Sequence, residues 1–83
     1  MKDVAVLVSS CDKYSDLWEP FFTLLFKYWV DCPYSVYLLS NYLSYSDPRV
    51  KPIVVGVDRD WSTSFGIALQ QIPQREVIVL MED

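Results

Sequence analysis

Four short runs of consecutive, mostly apolar residues limit what this chain can fold into. They lie at residues 4–8, 35–39, 53–57 and 77–81. All four are rich in β-branched or aromatic side chains, which favour strands. Their apolar character is continuous rather than alternating. A strand with one wet face alternates, whereas a strand covered on both faces does not. The runs therefore read as strands of a parallel sheet.

The segments between the runs supply the connections. Residues 16–29 predict a helix, with Asp16 and Glu19 spaced as a capping box and Pro20 tolerable only in the first turn. Leu17, Phe21, Leu24, Leu25 and Tyr28 share one face of it. Trp18, Phe22, Phe26 and Trp29 cover much of the rest. A helix apolar nearly all round expects burial on several sides. It should stop near Asp31, before Cys32-Pro33. Residues 41–51, with Asn41 and Pro48, read as a loop. Ser62 or Thr63 is placed to cap a second helix running to about Ile72, which Pro73 ends.

The order is strand, helix, strand, loop, strand, helix, strand. That order predicts an α/β, Rossmann-like three-layer fold with right-handed crossovers, as a single unit over residues 1–83. Two helices are few for four strands that need cover on both faces. The chain also stops at Asp83, just after the last run, where an α/β fold is expected to continue. The expectation is a half domain, the alternative being a small domain that hides its excess apolar surface in a homodimer through the long helix.

Composition removes several classes of function. The 83 residues carry 7 basic and 11 acidic side chains, a net charge of −4, and no basic cluster, which argues against nucleic acid. There is no histidine, so no Ser-His or Cys-His couple exists within the chain. The only glycines are Gly56 and Gly66, too few for a dinucleotide fingerprint or a Walker A loop. No apolar run approaches a membrane span. The apolar stretch before Val8-Ser9-Ser10-Cys11 is too short for a signal peptide. Two cysteines without such a signal suggest reduced thiols and a cytoplasmic location.

Ligands of open parallel sheets bind beyond the carboxyl ends of the strands. Here those ends are Ser9-Ser10-Cys11-Asp12-Lys13-Tyr14, Ser40-Asn41, Asp58-Arg59-Asp60-Trp61-Ser62 and Glu82-Asp83. Carboxylates, hydroxyls, an amide, a lysine and aromatic rings would gather along one edge. That set suits a nucleoside diphosphate with a divalent metal, because carboxylate oxygens hold Mg²⁺ or Mn²⁺ and the metal bridges phosphates. It equally suits ordinary solvated turns.

The order of these segments resembles a GT-A type glycosyltransferase. Residues 4–14 look like its opening strand and nucleotide-facing loop. Ser40-Asn41 is similar to its next nucleotide-contacting turn. Residues 61–69 resemble the segment before its metal-binding strand, and Glu76-Val77-Ile78-Val79-Leu80-Met81-Glu82-Asp83 looks like the strand that delivers its DxD-type acids. The resemblance implies transfer of a sugar from a nucleotide-sugar donor to an acceptor glycan or glycoconjugate, such as a surface polysaccharide. It implies Mg²⁺ or Mn²⁺ on Glu82 and Asp83, with Asp58 and Asp60 as second choice. It places Ser9, Ser10, Asp12, Tyr14 and Asn41 near the nucleotide.

This sequence departs from the family at two points. The third motif position is missing after Asp83, and the acceptor half and catalytic base have no counterpart in these residues. The expectation is therefore a donor-binding portion rather than a working enzyme. Trp61 either stacks on a ring or plugs the sheet edge. Lys13 is a phosphate contact or a surface lysine. Cys11 has no histidine to act as its base. The apolar helix lacks the Lys/Arg face of a membrane anchor. Two further readings stand beside the transferase: a non-catalytic small α/β interaction module or inactive truncated remnant, and a phosphoacceptor domain. The last would need an acidic pair at the first strand end, where only Asp12 is found.

Overall fold

The computed structural model describes residues 3–57 and 60–81, and the side chains of all of these but Trp61 and Met81. Four strands form one sheet: β1 (Val4–Ser9), β2 (Ser35–Ser40), β3 (Val50–Val54) and β4 (Glu76–Met81). Helix α1 (Trp18–Tyr28) joins β1 to β2, and α2 (Trp61–Gln71) joins β3 to β4. The strand order is β3-β2-β1-β4, and every pair is parallel. The chain thus steps outward from β1 to β3, then crosses back to place β4 on the other side of β1. The α/β arrangement expected from the four runs is present.

Alternation along the strands builds two cores, one on each face. Val6, Val8, Val36, Leu38 and Val50 meet Trp18 and Phe22 of α1. Ala5, Leu7, Tyr37, Leu39 and Ile53 meet Ala68 and Ile72 at α2. Each of these residues is at most 7 % exposed, which is why β1 and β2 read as unbroken apolar runs. No helix spans the β2–β3 connection. Tyr45 fills that place, its ring stacked on Phe22 with centroids 5.1 Å apart. Phe22 also stacks on Phe26, and the Arg49 guanidinium lies 4.1 Å from the Phe26 centroid.

Four boundaries differ from the sequence reading, each for a physical reason. The first helix begins as a 3₁₀ segment (Asp12–Leu17), kinked at Tyr14, and becomes α-helical only at Trp18. Residue Leu17 caps α1 without a side-chain hydrogen bond, so Asp16 and Glu19 form no capping box. Pro20 falls at the third position of α1, where a missing amide hydrogen costs little. Strand β3 starts at Val50, not Ile53, and contains Lys51 and Pro52. It is an edge strand, where proline is tolerated because one side has no ladder partner. Gly56, at φ +82°, then turns the chain out of the sheet. Asp60, rather than Ser62 or Thr63, sits at the N-cap of α2.

The structure settles which face of α1 turns inward. Trp18 and Phe22 are buried, whereas Leu17, Leu24 and Tyr28 are 44 %, 54 % and 79 % exposed. The stripe through Leu17, Leu24 and Tyr28 is left largely uncovered. No helix among the described residues is long and apolar enough to cross a membrane.

Candidate functional site

Because all four strands are parallel, their carboxyl ends share one edge. Register settles which ends are neighbours. Ser9 lies opposite Leu39 of β2 on one side and Met81 of β4 on the other. The loop after β1 therefore leaves the sheet between the ends of β2 and β4. Sequential progress through the sheet reverses between β1 and β4, the kind of switch point where open α/β sheets bind ligands.

Asp12 and Asn41 are brought into direct contact. The Asp12 amide donates to Asn41 Oδ1 at 3.0 Å. In return the Asp12 carboxylate accepts from three successive backbone amides after β2. Asn41 N donates to Oδ1 at 3.1 Å, Tyr42 N to Oδ2 at 3.0 Å, and Leu43 N to Oδ1 at 3.2 Å. The first strand-end loop is thereby tied to the second.

Ser10 is held from the other side. Its amide donates to Leu39 O at 3.1 Å, and its Oγ accepts from the Trp18 indole Nε1–H at 2.9 Å. A buried indole needs such a partner, and this one carries the order of α1 into the loop. Ser9 is only 5 % exposed at the end of β1, so it belongs to the sheet more than to the loop. Tyr14 is half-buried, with Lys13 Nζ 5.6 Å from its ring centroid.

Beside this tie runs a groove of about 490 Å³. Ser15, Trp18 and Glu19 line one wall, and Leu43, Ser44, Tyr45 and Ser46 the other. Sequence reasoning passed over this groove. Its signals were Trp18, whose N–H had to find an acceptor, and the serines of a loop read only as a connection.

Of the acids assigned to metal, only Asp60 is among the described residues. Glu82 and Asp83 follow β4 in sequence and lie outside the described residues, as does Asp58. Asp60 is described. It is exposed at the N-cap of α2, its carbonyl accepts the Ser64 amide, and Ser62 Oγ lies 3.5 Å from its Oδ2. Trp61 opens α2. Strands β3 and β4 are the two outer strands, about three spacings of ~4.8 Å apart. Among the described residues, no three Asp, Glu or Cys side chains converge as metal ligands would. Cys11 and Cys32 are free, half-buried thiols.

Fold and strand-end edge together define a parallel α/β protein with a polar, carboxylate-bearing rim. No protein-family model, curated protein or solved structure matches this chain.

Proposed function

We propose that this chain is the donor-binding portion of a nucleotide-sugar-dependent glycosyltransferase of GT-A type, with a Rossmann-like sheet. One observation carries the reading: β4 pairs with β1, with Met81 opposite Ser9. The acidic pair Glu82-Asp83 follows Met81 directly in sequence, and the Ser10–Tyr14 loop follows Ser9. The order β3-β2-β1-β4 also agrees with the first four strands of the doubly wound nucleotide-binding order. In this reading a nucleoside diphosphate lies in the crevice beyond β1 and β4. Ser10 and Tyr14, just beyond β1, are its candidates for ribose or base contact, Trp61 is a candidate from its place in the sequence, and Asp12 and Asn41 form the rim. Glu82 and Asp83 would hold Mg²⁺ or Mn²⁺, with Asp58 and Asp60 ranked second. The metal, when bound, neutralises the departing diphosphate. The acceptor would be a glycan or glycoconjugate, and a cytoplasmic site of action suits a nucleotide-sugar donor.

The test is titration with UDP and GDP, with and without Mn²⁺, followed by heat of binding and tryptophan fluorescence. Metal-dependent binding is expected. The double variant Glu82→Gln, Asp83→Asn should lower Mn²⁺-dependent affinity at least about tenfold, the scale of losing one charged contact. Equal binding with and without Mn²⁺ by both proteins would remove the metal assignment. Absence of any binding would remove the donor site.

A second reading has one specific observation behind it. The outer stripe of α1 and strand β4 expose apolar side chains on the same side of the molecule, where Phe21, Leu24, Leu25, Tyr28 and Trp29 meet Leu80 around an apolar groove. A non-catalytic interaction module would use that surface. A folded, monodisperse dimer that ignores both nucleotides would favour it.

A further inference from the structure

Three successive backbone amides that point into one concavity make an anion-binding nest. The amides of Asn41, Tyr42 and Leu43 form such a set after β2, and the carboxylate of Asp12 already fills it. We infer that Asp12 is the built-in anion of this nest and a positioning residue, acting through the 41–43 backbone rather than on a ligand. Its place in the strand-end site rests on the nucleotide reading above, but the nest itself does not.

The geometry supports this in both directions. Asp12 spends its two carboxylate oxygens on three amides and its own amide on Asn41 Oδ1. Tyr42 and Leu43 are each bonded to both oxygens, within 3.3 Å. Hydrogen bonds to an ionised acceptor are roughly twice as strong as neutral ones. A ribose hydroxyl or a phosphate that sought Asp12 or these amides would have to displace them. The end of β2 is therefore closed to phosphate by the chain's own charge. A diphosphate is directed to the side of the rim that faces β4. Asn41 acts likewise, by holding the Asp12 amide.

The test uses the whole chain and small anions. Asp12→Ala empties the nest. Its melting midpoint should fall below that of the wild type. Sodium acetate, compared with chloride at equal ionic strength, should then raise the midpoint of the variant saturably and leave the wild type unmoved. A variant that melts with the wild type, or that acetate does not rescue, overturns the assignment. Hydrogen exchange covers a variant that does not fold. In ligand-free wild type the Tyr42 and Leu43 amides should be protected, and in Asp12→Asn they should exchange at least about tenfold faster. Unprotected amides in the wild type would also overturn it. A third arm compares UDP with 2′-deoxy-UDP. A positioning Asp12 leaves their affinity ratio the same in Asp12→Asn, whereas a ribose-binding Asp12 loses the discrimination. Failure of the wild type to bind UDP counts against the donor reading alone, because the acetate and exchange arms need no nucleotide.

Discussion

Arg49 holds two neighbours at once. Its guanidinium lies over the Phe26 ring, and its Nε and Nη2 donate to Asp47 at 3.1 and 2.8 Å. The Asp47 carboxylate also accepts the Arg49 backbone amide at 2.8 Å. The side-chain bonds from Arg49, then its backbone bond, hold the Asp47 carboxyl below its ordinary range. The same partner raises Arg49, which stays cationic throughout. A lowered carboxylate contributes stability that is fully present above its unfolded value of about 3.9 and is lost as pH falls through the folded value. Asp47→Asn should therefore be slightly less stable than the wild type at neutral pH. Urea midpoints of the two should converge at a pH well below about 4. A difference that persists there would show that charge on Asp47 is not what ties the β2–β3 loop to α1.

At the scale of elements, α1 shows what burial decides and pattern does not. Its residues are apolar on nearly every side, so no stripe in the sequence announces which face turns inward. The choice falls to Trp18 and Phe22, whose rings fill the space over Val6, Val8, Val36 and Leu38. Phe22→Ala should cost about 3–5 kcal/mol, as deletion of a buried ring does. Leu24→Ala, on the exposed stripe, should stay within about 0.5 kcal/mol. Chemical denaturation of the two variants measures the contrast, and comparable losses would place the helix the other way round. Strands β1, β2 and β4 were legible because both faces of the first two are covered and the third is apolar from Val77 to Met81. The start of β3 was hidden because an edge strand admits Lys51 and Pro52. The strand-end site was legible as a set of polar residues after apolar runs. The bonds between Asp12 and Asn41 were not, because these residues lie 29 positions apart and only the parallel pairing of β1 with β2 brings them together. The acids Glu82-Asp83, proposed to hold metal, lie outside the described residues, so that proposal rests on sequence alone.

For the whole molecule, the two edges of the sheet are built differently. Exposed strand edges are commonly blunted by lysine or proline, which discourage pairing with another chain. Strand β3 has both, in Lys51 and Pro52. Strand β4 has neither, and after Glu76 it runs Val77-Ile78-Val79-Leu80-Met81. Register assigns Ile78 and Leu80 to the α1 face, opposite Val6 and Val8, and Val77 and Val79 to the α2 face, opposite Ala5 and Leu7. Ile78 is 41 % and Val79 37 % exposed, so neither face of β4 is fully covered. An uncovered apolar edge of this kind is prone to associate. Sedimentation velocity of the chain should show a concentration-dependent shift to larger species in the micromolar range. A lysine on the edge should suppress it: Val79→Lys removes half-buried apolar surface and adds the charge that natural edges carry, at a stability cost of roughly 1 kcal/mol. Nucleotide titration of the same variant separates association from the proposed nucleotide binding. Suppressed association with binding retained would mean that the β4 edge and the strand-end rim act independently. Association unchanged by the lysine would move the contact to the outer stripe of α1, where Leu24→Lys is the corresponding variant.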